Sequence, residues 1–152
     1  MKKTLSILAG LLSIVTSSFA QNPFLPLWEH IPDGEPYVFE DPDNPGQYRV
    51  YLYGSHDNLK TAYCGLDQVV WSASVNDLTN WRYDGVIFES GGDVLYAPDV
   101  AEVTDPATGS KKYYLYPNNQ ACGRQTMVAV SDRPDGPFQV CNWNSEKPCL
   151  LY

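Results

Sequence analysis

The sequence is short of positive charge: 10 Lys and Arg stand against 18 Asp and Glu, for a formal net charge of −8. Nucleic acids and anionic membranes are bound through clustered cations, so this balance excludes both as partners. Histidine is equally scarce, with His30 and His56 alone, and neither lies near a cysteine. The four cysteines, Cys64, Cys122, Cys141 and Cys149, contain no Cys-x-x-Cys spacing, which argues against a zinc site. No apolar run reaches the roughly 18 residues that a membrane-spanning helix needs. No stretch sustains a 3.6-residue period between caps, which leaves little place for helices.

The first 20 residues read as a leader rather than as fold. Lys2 and Lys3 form a basic start, Leu5 to Val15 an apolar middle, and Ser18-Phe19-Ala20 a small-x-small cleavage site. A secretory signal over 1–20 predicts a mature chain from Gln21, secreted or periplasmic, with no membrane association after cleavage. Loss of two lysines leaves 8 basic against 18 acidic residues and a net charge of −10. An exported chain is free to form disulfides, and four cysteines permit three pairings among which sequence does not choose. The charge suits a neutral ligand. Aromatics, at 13% with 11 Tyr and 4 Trp, are numerous enough to build sugar-stacking platforms as well as a core.

What is there in quantity is strand. Tyr48-Arg49-Val50-Tyr51-Leu52-Tyr53 and Lys112-Tyr113-Tyr114-Leu115-Tyr116 are aromatic and β-branched, and Val69-Val70-Trp71-Ser72-Ala73 and Met127-Val128-Ala129-Val130 are similar. Turn clusters separate them at Asp41-Pro42-Asp43-Asn44-Pro45-Gly46, Asp105-Pro106-Ala107-Thr108-Gly109 and Arg133-Pro134-Asp135-Gly136-Pro137. The first cluster is a turn and not a calcium loop, because Pro45 takes a ligand position and Leu52 stands where a bidentate Glu belongs. The pieces repeat. One unit runs from Glu35-Pro36 to Asn80-Trp81 and the next from Ala97-Pro98 to Pro137-Phe138, each with about four short strands, the content of a propeller blade. The expected units span 35–90 and 97–142. The fold class expected is all-β: the first two blades of a β-propeller, with the ring incomplete over 21–152.

Two acids stand out. Asp99 follows Pro98 and precedes the strand-like Val100 to Val103, at the mouth of a strand behind a stiff backbone. Asp33 holds a related place in Ile31-Pro32-Asp33-Gly34-Glu35-Pro36-Tyr37-Val38-Phe39. This segment, with Tyr51-Leu52-Tyr53-Gly54-Ser55-His56-Asp57, Asn76-Asp77-Leu78-Thr79-Asn80-Trp81 before Asp84-Gly85-Val86, and Tyr96-Ala97-Pro98-Asp99-Val100, resembles glycoside hydrolase family 43 in the family's own order. These are five-bladed propellers that cleave arabinose and xylose linkages. The resemblance implies Asp33 as the general base and Asp99 as the carboxylate that tunes and orients the acid. Gly34 departs from the proline usual after the base, which makes Glu35 a rival for that role.

An inverting glycosidase needs one carboxylate to activate water and one carboxylic acid to protonate the departing oxygen, about 6.5–9.5 Å apart. The family's acid is a glutamate from beyond the second blade. Glu102 and Glu146 sit in no segment like its motif, so the acid is expected to be absent from these residues. Substrate-binding candidates are Tyr96, Trp71, His56 and Asp57, with Trp28 as a further ring; for the tryptophans a core role, and for His56-Asp57 a turn role, is the plainer reading. No cofactor is implied, beyond the room that a complete propeller has for a structural calcium. Two functions compete. One is an exported arabinofuranosidase or xylosidase acting on oligo- or polysaccharide, represented by an N-terminal piece inactive alone. The other is a secreted carbohydrate-binding propeller module without catalysis. A truncated product with no stable fold is a third possibility.

Overall fold

The computed structural model describes residues 24–57, 64–89, 91, 94–119 and 127–141. The leader over 1–20, Cys122, Cys149 and Glu146 lie outside the described residues. Among the described residues ten strands follow in order: β1 (Glu35–Glu40), β2 (Tyr48–Ser55), β3 (Asp67–Ser74), β4 (Asp77–Glu89), β5 (Leu95–Tyr96), β6 (Val100–Thr104), β7 (Lys111–Leu115), β8 (Asn118–Asn119), β9 (Ala129–Ser131) and β10 (Gln139–Val140). No helix occurs among the described residues.

The strands form two four-stranded antiparallel sheets and one small pair. The first sheet is a meander, β1-β2-β3-β4; the second has the order β10-β9-β7-β6; β5 pairs with β8. The two large sheets match the units expected near 35–90 and 97–142. The β5–β8 pair was not anticipated, because two-residue strands carry no readable alternation.

Local chemistry explains the turns. Asp41 closes the β1–β2 connection: its carboxylate accepts from Asp43 N–H at 3.0 Å and Asn44 Nδ2 at 3.0 Å, an Asx arrangement that builds the turn. In the β3–β4 hairpin the register slips between Val70 and Trp71, which face Gly85 and Tyr83. Gly85 takes φ +125° there, a conformation that a side chain resists, so the bulge falls on the glycine.

Alternation on β1 and β2 sorts the faces. Phe39, Tyr51 and Tyr53 point toward the second sheet and meet Val70, Ile87, Leu95, Val100, Tyr113, Leu115, Ala129 and Phe138 in one shared core. Phe39 and Tyr113 cross the gap edge to face, with centroids 5.2 Å apart. Polar ties flank this core. The buried Tyr53 hydroxyl donates to the Pro134 carbonyl at 2.6 Å, Phe138 N–H donates to the Ile87 carbonyl at 3.0 Å, and Arg133 donates to both oxygens of Asp43 at 2.9 and 3.0 Å.

The Tyr53 bond yields a stability prediction. Tyr53→Phe keeps the ring and strands the Pro134 carbonyl without its donor, for an expected loss of about 1–3 kcal/mol in chemical denaturation. An unchanged denaturation midpoint would show that this tie between the sheets contributes nothing.

Candidate functional site

Both singled-out acids stand just before the first strand of a sheet. Asp33 lies two residues before β1 and Asp99 one before β6, and β1 and β6 are the edge strands of their sheets. Both carboxylates are exposed.

Asp99 is fixed from two sides. Its Oδ1 accepts the Val100 N–H at 2.8 Å and the Tyr37 hydroxyl at 2.5 Å, the latter reaching across from β1. A short O–H to carboxylate contact is charge-assisted, stronger than a bond between neutral groups. The Tyr37 hydroxyl is pushed up to about 12, first by donating to Asp99, then by burial and by the charges of Asp99 and Glu35. It therefore remains a donor throughout the neutral range. Pro98 beneath is fully buried, and the Tyr116 N–H donates to the Asp99 carbonyl at 2.8 Å, so the backbone here is held as firmly as the side chain.

The two edge strands meet at a constant offset. Tyr37 and Asp99 are 62 residues apart. Glu40 and Glu102, at the same offset, share Lys111, whose Nζ lies 3.5 and 3.3 Å from them. Glu102 also accepts the Tyr113 hydroxyl at 3.1 Å. It is thus committed to a cation and a phenol three residues along β6 from Asp99.

Asp33 sits in a different environment. Residues 29–34 lie over the end of β2, where Gly54 makes a notch: a Cβ at Gly54 would come within 1.8 Å of Ile31 Cγ2. Gly34 lies against Leu52, whose Cδ1 would be 2.9 Å from a Cβ there, so a larger residue at this point must displace the leucine. The Asp57 N–H donates to the His30 carbonyl at 3.0 Å and ties the same run to the end of β2. Burial raises the Asp57 carboxyl above its usual range, and the Asp33 charge adds to this against the opposing pull of His30 and His56. Burial likewise raises the Cys64 thiol, helped by the charges of Asp57 and Asp33. Asp33, Asp57 and Cys64 are therefore electrostatic neighbours. Chain length alone keeps the Cα atoms of Asp33 and Tyr37 within roughly 14 Å.

Glu35, the rival to Asp33, is exposed at the start of β1 and shares a strand face with Tyr37. Its charge is felt at the Tyr37 hydroxyl.

The other candidates divide. Tyr96 is half-buried in β5, three residues before Asp99, with its carbonyl taking the Gln68 Nε2–H at 2.6 Å. His56 follows β2 directly, with Nε2 3.3 Å from Glu29 and Nδ1 3.2 Å from Asp67. Trp71 is only 5% exposed; it lies under Trp28 with centroids 6.0 Å apart, and its Nε1–H donates to Glu29 at 2.7 Å. It points to the face opposite Val70 and the shared core. Its ring is covered by protein, which removes it as a stacking platform in this arrangement, while Trp28 is well exposed. Among the described residues no group of three or more His, Cys, Asp or Glu is placed to hold a metal ion. Cys64, buried, and Cys141, exposed, are free thiols.

Tyr37, Glu29 and Gln68 escaped the sequence reading. Tyr37 lay inside a segment singled out for its acids, and its partner is visible only once β1 and β6 meet. Gln68 sits fully buried opposite Ser55, and a glutamine in an apolar strand is a signal that it reaches for a backbone group.

No family model matches the chain. A protein of Thermoclostridium stercorarium named xylosidase/arabinosidase is 44% identical over 127 residues, covering 78% of this chain and 24% of that protein. The solved structure of RS223 β-xylosidase aligns at 23% identity with a TM-score of 0.51, covering 75% of this chain and 36% of that one. At that identity the second likeness is one of fold. The chain thus spans about a quarter of the length of the curated relative it matches.

The Asp99–Tyr37 contact gives a titration test. Asp99→Asn removes the charge that favours the protonated phenol, so Tyr37 is expected to titrate closer to its ordinary value, about 10. Because the folded value is raised, this bond's share of stability is complete below the ordinary phenol value and is lost as pH rises through about 12. Ultraviolet titration, with Tyr37→Phe as the blank, reads the shift; an unmoved Tyr37 in Asp99→Asn would contradict the assignment.

Proposed function

We propose that this chain is part of an exported glycoside hydrolase of family 43 type, its two sheets being the first two blades of a five-bladed propeller. The complete protein would hydrolyse arabinose- or xylose-containing plant oligo- or polysaccharides with inversion. The observation that carries the proposal is the Tyr37–Asp99 bond, which ties β1 at Tyr37, four residues along from Asp33, to the carboxylate that precedes β6. The similarity to a xylosidase/arabinosidase over 78% of this chain supports the substrate class.

In this reading Asp33 takes a proton from water as the water attacks the anomeric carbon from the face opposite the leaving group. Asp99, locked by Tyr37 and Val100 N–H, is the fixed negative charge that orients the acid and raises its affinity for a proton. A carboxylic acid must meanwhile protonate the leaving oxygen, a step worth about 10²–10⁴-fold, or roughly 3–5 kcal/mol. Glu102 is unsuited to it, since its carboxylate is engaged with Lys111 Nζ at 3.3 Å and with the Tyr113 hydroxyl at 3.1 Å. The acid in this proposal is a glutamate outside these residues. Tyr96, Asp57 and His56 stand where they can border the sugar; Trp71 is given no contact with it. A second reading makes Glu35 the base, favoured by its place on the Tyr37 face of β1.

A chimera tests this. Residues 24–141 replace the matching segment of the Thermoclostridium stercorarium protein, and aryl arabinofuranosides and xylosides report turnover. The unextended chain is expected to show no hydrolysis and the chimera to hydrolyse one of them. Asp33→Asn in the chimera should lower kcat by about 10³-fold or more, with Glu35→Gln far milder. Loss on Glu35→Gln alone would transfer the role to Glu35. Full turnover in both variants would reject a base in this segment and favour a carbohydrate-binding role.

A further inference from the structure

The run that carries Asp33 is anchored by a carboxylate that the proposed chemistry does not use. Glu29 is 1% exposed at its side chain; its carboxylate accepts the Trp71 Nε1–H at 2.7 Å and the N–H of its neighbour His30 at 2.9 Å, and His56 Nε2 lies 3.3 Å from it, within ion-pair reach. On its other side the His56 ring lies 3.2 Å from Asp67. Glu29 comes from the N-terminal run, His56 from the end of β2 and Asp67 from the start of β3. The three therefore pin that run to the sheet, and the His30 carbonyl, held by Asp57 N–H, is the next link toward Asp33.

We infer that Glu29 and His56 are positioning residues, a proton-dependent latch that seats the turn bearing Asp33 on the end of the first sheet. The argument is one of counting protons. A neutral imidazole carries one N–H and a protonated one carries two. Here Nδ1 is hydrogen-bonded to Asp67 at 3.2 Å and Nε2 lies within ion-pair reach of Glu29 at 3.3 Å, so only the cation presents an N–H to both carboxylates at once. When the proton leaves, one carboxylate faces a bare nitrogen lone pair; if that carboxylate is Glu29, it keeps the Trp71 and His30 donors but loses its cationic neighbour, and the hold across the His56 ring is weakened. The charged groups around the ring are Glu29 from the N-terminal run, Asp67 from β3 and the adjoining Asp57, which in turn feels His30 and Asp33. The Gly54 notch beneath Ile31 gives the turn a seat but no polar hold, and the His56 contact adds to the holds from Trp71 Nε1–H and Asp57 N–H. This inference rests on Asp33 as the base for its consequence in catalysis, though not for its geometry.

The test uses the 152-residue chain and nuclear magnetic resonance. The ring nitrogens of His56 are followed across pH together with hydrogen exchange at the His30 and Asp57 amides, corrected for the intrinsic rate. Both nitrogens are expected to be protonated while the latch is closed. As His56 loses its proton, protection of the two amides should fall by roughly tenfold, the scale of one charge-assisted hydrogen bond. Glu29→Gln or His56→Gln should abolish that dependence and leave exchange between β2 and β3, at Tyr51 and Ser72, unchanged. Asp33→Asn should leave the dependence intact, so a failure of Asp33 as base would not imitate a failure of the latch. A ring with one unprotonated nitrogen throughout, or a pH dependence that survives both substitutions, would overturn the inference. If either variant also loses protection between β2 and β3, the native titration decides alone.

Discussion

Two sheets that share an aromatic core are brought into a fixed relation at their acid-bearing ends by the hydroxyl of Tyr37 on the carboxylate of Asp99. The core supplies the bulk of the association, because burial of rings such as Phe39, Tyr51, Tyr53 and Tyr113 is favourable wherever they touch. Apolar contact is non-directional, however, and leaves sliding of one sheet over another weakly opposed. Direction comes from Tyr37 to Asp99, from Tyr53 to Pro134 and from Arg133 to Asp43. Of these, only the first also fixes a candidate site carboxylate.

Much of this arrangement was legible in advance because it rests on local pattern. Alternating aromatics located β2 and β7, turn chemistry located the Asp41 and Asp105 corners, and the repeat from Pro36 to Pro98 anticipated the offset at which β1 and β6 meet. Asp99 was recognisable because a proline before a strand is a local signal. What escaped depends on contacts between distant segments. Glu29 looks like any acid in a turn-rich run until Trp71 and His56 surround it. Trp71 reads as a possible platform until Trp28 lies over it. Gln68 gains meaning only from the Tyr96 carbonyl 28 residues away. Glu35 and Asp33 differ in surroundings that sequence does not show: the pleat places Glu35 on the Tyr37 face, while the charge of Asp33 is felt at Asp57 and Cys64.

The electrostatics give the site its character. Asp33, Glu35, Asp57 and Asp99 sit around the ends of two sheets in a chain with nearly two acids for each base. Repulsion among them is offset in two different ways. The Asp99 carboxylate accepts two hydrogen bonds, from the Tyr37 hydroxyl and the Val100 N–H. Asp57 is instead pushed toward its neutral form by burial and by Asp33.

The most direct measurement is a double-mutant cycle on folding stability with Tyr37→Phe, Asp99→Asn and the double variant, in chemical denaturation near neutral pH. If the hydroxyl and the carboxylate bind one another as described, the single losses will exceed additivity, with a coupling of about 1–2 kcal/mol. Additivity within about 0.5 kcal/mol would mean that the two groups do not interact, and that the sheets are not fixed to one another at Asp99.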